Sequence, residues 1–125
     1  YVGRPKGPMD VTRRLRAYDR GFVVGILEGE GCFGYYGRHS RPDKRLTIQV
    51  NMTDKDVIER LSSLLEVTAG GPYRHNRKPG AKLMYKTYLS GLSALATMVD
   101  VFLDMGQRRQ KKIAEILGEW EHAAA

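Results

Sequence analysis

Cysteine is nearly absent from this chain of 125 residues, in which Cys32 is the single one. One thiol cannot form an internal disulfide, so we expect a reducing intracellular compartment, such as the cytoplasm, the nucleoid or an organelle matrix. Long apolar runs are absent too. No segment is long and apolar enough to cross a bilayer, and the basic N-terminus lacks the apolar stretch of a secretory signal, so no membrane partner is expected.

Acidic residues are in short supply as well, because 14 Asp and Glu oppose 21 Lys and Arg, for a formal net charge of +7. A chain with a pI near 9.7 suits a polyanionic partner, most simply nucleic acid. Charge alone leaves open a basic protein of another kind. A length of 125 residues fits one domain, or one half of a dimeric assembly.

The chain does contain a regular succession of helical and extended patterns. Residues 1–17 form a basic stretch with Gly and Pro and are predicted to be an arm, while 18–122 are predicted to be a single domain. The elements expected in that domain are a helix from the Asp19 N-cap to Leu27 or Glu28, strands over 32–38 and 45–52, a helix from 53 or 54 to about Glu66, strands over 73–77 and 81–89, and helices over about 91–104 and 107–122. This order predicts an α+β fold with a four-stranded, mainly antiparallel sheet.

Residues Val23 to Gly31 read VVGILEGEG and lead directly into a strand. Two acids, Glu28 and Glu30, fall at the C-terminal end of a helix, where the helix dipole disfavours negative charge. A bound cation would supply a reason for them, because carboxylate and carbonyl oxygens are the ligands that hard divalent metals prefer. On a helix Glu28 cannot share the direction of Glu30, so we expect Glu28 to brace the helix junction rather than to bind metal.

This segment resembles the LAGLIDADG motif of homing endonucleases. Gly25 matches the first glycine, Glu28 and Glu30 match the two acids, where the family more often has Asp, and Gly31 matches the last glycine. The predicted element order is similar to that family's αββαββα core, here with an additional C-terminal helix. The stretch from Phe102 to Lys112 also resembles the basic closing segment of the family.

The resemblance implies a site-specific double-strand DNA endonuclease that cuts by metal-dependent phosphodiester hydrolysis. It implies that Glu30 and the Gly29 carbonyl bind Mg²⁺ or another divalent cation, and that Arg108 or Lys112 assists catalysis. Because the chain has one motif, it also implies a homodimer acting on a near-palindromic target. The residues that it places at the dimer interface are Val24, Gly25 and Glu28.

The resemblance further implies that the sheet lies in the major groove of double-stranded DNA. Alternation along the strands, with Phe33 and Tyr35 facing inward, then gives the side chains that face the DNA. They are Tyr36, Arg38, Arg45, Thr47, Gln49, Arg74, Asn76, Lys82 and Lys86. Arg, Gln and Asn suit bidentate recognition of guanine and adenine edges. A solvated sheet face is the simpler alternative for each of them.

Two other functions stay open. A non-cleaving DNA- or RNA-binding protein on the same scaffold, such as a splicing cofactor or a transcription regulator, would keep the fold and the basic sheet. A basic ribosome- or RNA-associated α+β domain would also account for the charge, but it leaves the Gly-Glu-Gly end of the helix unexplained.

Overall fold

The structure is a computed structural model that describes residues 11–37, 44–74 and 76–124. Its helices are α1 (Val11–Arg14), α2 (Ala17–Glu30), α3 (Lys55–Leu64), α4 (Leu92–Val101) and α5 (Gln107–Ala124), and its strands are β1 (Cys32–Tyr36), β2 (Arg45–Met52), β3 (Gly70–Arg74) and β4 (Leu83–Ser90). A 3₁₀ helix, Phe102–Asp104, connects α4 to α5. The predicted α+β fold is confirmed. No helix in the described ranges has the length and apolarity needed to span a membrane.

The four strands form one antiparallel sheet in the order β1-β2-β4-β3. One side of the sheet faces the core, where Phe33, Ile48 and Leu89 form a row across three strands and are at most 3% exposed. Helix residues such as Ile58 and Met98 complete this core. The opposite side, called the outer face below, carries the alternate residues of each strand and is the side on which the predicted DNA-facing residues lie.

β2 is the strand that alternation predicted best. It spans Arg45–Met52, as expected, and Leu46, Ile48 and Val50 are buried on the core side. Apolar side chains at every second position give a strand one face that packs on helices and one that meets solvent.

β3 differs from the prediction in both position and face. The strand was expected over 73–77, whereas it spans Gly70–Arg74, with Gly70 opposite Lys86 and Tyr73 opposite Met84. Three steps along β3 therefore match two along β4. Such a bulge adds one residue and reverses which side chains face outward. A glycine at 71 permits it, because φ is +107° there and a Cβ would lie 2.7 Å from the Met84 carbonyl oxygen.

Part of the segment predicted to be an N-terminal arm belongs to the folded domain. Residues 11–14 form α1, in which Val11 and Thr12 are buried against the domain, and Arg14 forms an ion pair of 3.1 Å with Glu66. The prediction of an arm over 1–17 therefore does not hold for residues 11–14, since buried apolar surface anchors them. Residues 1–10 lie outside the described residues.

Candidate functional site

The C-terminal end of α2 meets the first turn of α5 at a tightly bonded junction. α2 continues to Glu30, beyond the end predicted for it, so both acids belong to its last turn. Glu28 Oε1 accepts a hydrogen bond of 2.7 Å from the backbone N–H of Gly106, where a Cβ would lie 2.5 Å from that oxygen. Glu28 thus braces the junction, as its position led us to expect. Its carboxylate is engaged within the chain, and its place at the dimer interface stays a prediction.

Arg109 closes the same junction from α5. Its Nε donates to the Glu28 carbonyl oxygen at 2.6 Å, and a second guanidinium nitrogen donates to the Gly31 carbonyl oxygen. Glu28 Oε2 is buried and accepts no hydrogen bond from the described residues, but Arg109 Nε lies 3.3 Å away, so this ion pair is its partner. A guanidinium at this end of the helix also offsets the helix dipole and the charge of the acids.

The predicted catalytic residues of α5 do not take part in this junction. Arg108 and Lys112 are exposed, and neither forms a hydrogen bond or ion pair with any residue of the described ranges. Arg109 was missed, although the sequence contained a signal for it. Arg109 lies four residues before Ile113 and seven before Ile116, both buried, and therefore on the helix side that faces the domain.

Glu30, unlike Glu28, has no bonding partner among the described residues. It is exposed at the end of α2, and its carboxylate makes no hydrogen bond or ion pair with the part of the chain that the structure describes. Gly29 is exposed beside it. A carboxylate with a neighbouring carbonyl fits Mg²⁺, which one or two carboxylates commonly hold together with water and phosphate oxygens. Among the described residues, no group of three or more His, Cys, Asp or Glu could hold a metal ion.

α2 presents a stripe of glycines on its exposed side. Gly21, Gly25 and Gly29 recur every four residues, all three are exposed, and a Cβ built at any of them meets no atom within 4 Å. A helix surface without side chains lets a second backbone approach closely. Val24, which is half-buried beside this stripe, and Gly25 are therefore accessible in the way that their predicted interface role requires.

Part of the predicted DNA-facing set lies on the outer face as expected. Arg45 is exposed and pairs across the strands with Tyr36, which is 63% exposed and lies with its ring over Gly34. Gln49 is half-buried on the same face. Arg38 falls outside the described residues.

Three predicted DNA-facing residues differ from the prediction in their exposure, their face or their strand. Thr47 is on the outer face but is only 6% exposed. Arg74 is exposed, but it lies opposite Leu83, which belongs to the core side of the sheet. The bulge in β3 shifts the alternation by one residue and thereby places Arg74 on that side. Asn76 lies beyond the end of β3, where its Oδ1 accepts a hydrogen bond of 2.9 Å from the Lys78 backbone N–H.

The outer side of β3 and β4 carries a cluster that sequence reasoning did not single out. The Tyr73 hydroxyl donates a hydrogen bond to Asn51 Oδ1, and Lys86 Nζ lies 5.4 Å from the Tyr88 ring centroid and 6.0 Å from that of Tyr73. These four residues are called the tyrosine–lysine patch below. Lys86, predicted to face the DNA, thus lies against two aromatic rings, while Lys82 is exposed just before β4.

Comparisons of the chain with protein-family models, with curated proteins and with solved structures found no match. The resemblance to the LAGLIDADG family therefore rests on the motif residues and on the order of the elements. From α2 onward the order is helix-strand-strand-helix-strand-strand-helix followed by α5, as predicted from the sequence, and the short helix α1 precedes it.

Proposed function

We propose that the protein is a site-specific double-strand DNA endonuclease, of the LAGLIDADG homing type, that acts as a homodimer on a near-palindromic target. The observation that carries this proposal is the exposed carboxylate of Glu30, which has no partner in the described chain. Glu28 has its partners in Gly106 and Arg109, so folding accounts for one acid of the motif and not for the other. A cation bound at the helix end accounts for the second.

Glu30 and the Gly29 carbonyl would hold Mg²⁺ or another divalent cation. Such a metal activates water and neutralises charge on a scissile phosphate. The chain's own contribution is to hold the backbone of the helix end that carries Glu30. Arg109 bonds the carbonyls on either side of Glu30, those of Glu28 and Gly31, and thereby ties the last turn of α2 to the first turn of α5. A backbone held in this way has little conformational freedom to lose when Glu30 binds metal.

Homodimerisation is supported by the glycine stripe of α2. Two copies related by a two-fold axis along α2 would bring two Glu30 carboxylates to the same end of the interface. The contact residues would include Val24 and Gly25. Two equivalent sites related by that axis suit two strands of a duplex with near-palindromic sequence.

The outer face supports DNA recognition through its polar residues. Arg45 offers the fork of donors that matches guanine, and Gln49 offers the donor and acceptor that match adenine. Tyr36, at 63% exposure, offers an apolar surface for a thymine methyl group. A dimer would double both this surface and the net charge of +7.

A non-cleaving DNA- or RNA-binding protein on the same scaffold is the second candidate. The observation in its favour is the lack of a group of three metal-ligating side chains in the described residues. The two candidates differ in cleavage, which can be measured. The second predicts no cleavage and therefore no catalytic role for Glu30.

The test compares wild-type protein with Glu30→Gln on duplex libraries of near-palindromic sequence in the presence of Mg²⁺. The amide keeps the shape of the side chain and removes the charge that attracts the metal. We expect binding to persist and cleavage to fall by more than about 100-fold, since even loss of a residue that supports a metal ligand commonly costs 10- to 100-fold. Glu59→Gln, an exposed acid of α3, is the matched control and should cut normally.

Cleavage at the wild-type rate by Glu30→Gln would rule out the assignment of Glu30. Binding without cleavage by the wild-type protein, in Mg²⁺ and in Mn²⁺, would favour the second candidate.

A further inference from the structure

The tyrosine–lysine patch has a surface chemistry that duplex recognition leaves unused. Tyr73 and Tyr88 are 37% and 42% exposed, so both rings present surface to solvent. In a duplex the bases stack on one another, and the grooves offer only their edges. Aromatic rings bind the faces of bases, which are accessible when the bases are unpaired.

Two polar atoms of the patch, the Tyr73 hydroxyl and Asn51 Oδ1, already bond to each other. Asn51 Oδ1 accepts the hydrogen bond from the Tyr73 hydroxyl, and burial raises the pKa of that phenol above its ordinary value. The Lys86 ammonium lies within 6.0 Å of both ring centroids. A cation in that position is attracted to the rings and still has donors for a phosphate.

The stretch of chain that contains Tyr73, Lys86 and Tyr88 carries cations and no acid. From Val67 to Val99 the sequence contains no Asp or Glu. The same stretch contains Arg74, Arg77, Lys78, Lys82 and Lys86, of which the first four are exposed. Cations that follow a phosphate backbone beside rings that stack bases are the combination by which proteins bind single strands.

We propose that the tyrosine–lysine patch binds unpaired nucleotides of a single-stranded nucleic acid, with bases stacked on Tyr73 and Tyr88 and with Lys86 and the cations of the β3–β4 hairpin on the phosphates. This activity goes beyond DNA cleavage and does not depend on it, because it needs neither Glu30, nor a metal, nor a second copy of the chain.

The test measures fluorescence anisotropy of labelled oligonucleotides with the wild-type protein, without metal. One probe is a short oligothymidylate, and the other has the same number of phosphates but abasic sites in place of the bases. Stacking predicts that the abasic probe binds at least about fivefold more weakly. Binding through phosphates alone predicts equal affinities, because the two probes carry the same charge, and that result would overturn the proposal.

Variants locate the binding surface. Tyr88→Ala and Tyr73→Ala should each weaken oligothymidylate binding by about 5- to 150-fold, the range expected for loss of one stacked base. Tyr88→Phe keeps the ring and should bind within about twofold of the wild type. Tyr18→Ala is the matched control, since Tyr18 is 79% exposed on α2, away from the outer face, and it should leave binding unchanged.

Alanine variants of Tyr73 and Tyr88 that fold, as judged by circular dichroism, and bind oligothymidylate as tightly as the wild type would contradict the proposal. Should either variant fail to fold, the two probes on wild-type protein still decide the matter. Neither experiment uses duplex DNA or cleavage. A negative result here therefore leaves the endonuclease proposal standing, and a protein that cuts no duplex can still bind the single strand as proposed.

Discussion

At the scale of single residues, the two acids that end α2 have different explanations. Glu28 is bonded to Gly106 and paired with Arg109, so its presence at the negative end of a helix has a structural cause. Glu30 has no such partner in the described chain. The expectation that a cation accounts for acids at this position thus applies to Glu30, since for Glu28 the cation is a side chain of the same chain.

Arg109→Ala should destabilise the fold by about 2 kcal/mol, because it removes hydrogen bonds to two carbonyl oxygens and leaves a buried carboxylate oxygen without its partner. Arg108→Ala is the matched control. It removes the same side chain one position earlier, where it is exposed and has no partner in the described chain, and should change stability by less than about 0.5 kcal/mol. Denaturant unfolding followed by circular dichroism measures both. Equal effects of the two substitutions would show that the junction contributes little to stability.

The roles of these residues could be predicted from the sequence only in part. The motif identified Glu28 and Glu30. Their spacing on a helix predicted that Glu28 braces the helix junction, which the structure bears out. Arg109 was overlooked because four cations in a run of five residues look alike in sequence. Its helical spacing from the buried Ile113 and Ile116 distinguishes Arg109 from the other three cations. That spacing places it on the inner side of α5, from which a side chain can reach the end of α2.

At the scale of elements, regular patterns were predicted well and an irregularity was not. β2 has clean alternation and was predicted residue for residue, whereas β3 was displaced. The reason is the bulge between Gly70 and Tyr73, which adds one residue and exchanges Arg74 for Tyr73 on the outer face. A prediction from alternation assumes that every residue of a strand pairs with one residue of the neighbouring strand. It therefore cannot show where a bulge inserts an extra residue.

The glycine stripe of α2 gives a prediction about association. Gly25→Leu should leave the single chain folded, because a Cβ there meets nothing within 4 Å and leucine is the better helix former by roughly 0.8 kcal/mol. It should abolish the dimer, because a leucine side chain would hold two copies of α2 apart. Light scattering of wild type and variant measures the mass of each.

Gly118→Leu is the control for this substitution, since Gly118 is also an exposed helical glycine with nothing within 4 Å of a Cβ. It lies on α5 and should leave the dimer intact. A wild-type protein that is monomeric both alone and with DNA would remove the basis for the predicted interface.

At the scale of the whole molecule, the layers separate the proposed dimer interface from the face on which we propose that nucleic acid binds. The core side of the sheet is covered by helices, and the outer face is left to polar and aromatic side chains. The acid-free stretch from Val67 to Val99 places much of the net positive charge in β3, β4 and the turn between them. This arrangement favours a nucleic acid on the outer face and a partner copy on α2.

The central claim is that two copies of this chain cut one duplex symmetrically at the ends of their α2 helices. Incubation of the wild-type protein and Mg²⁺ with a randomised duplex library, followed by sequencing of the ends produced, tests it most directly. We predict double-strand breaks whose flanking sequences form an inverted repeat centred on the break, because an isologous dimer presents the same surface to both halves of its target. Recovery of no cut molecules, or of breaks whose flanks lack two-fold symmetry, would contradict the claim.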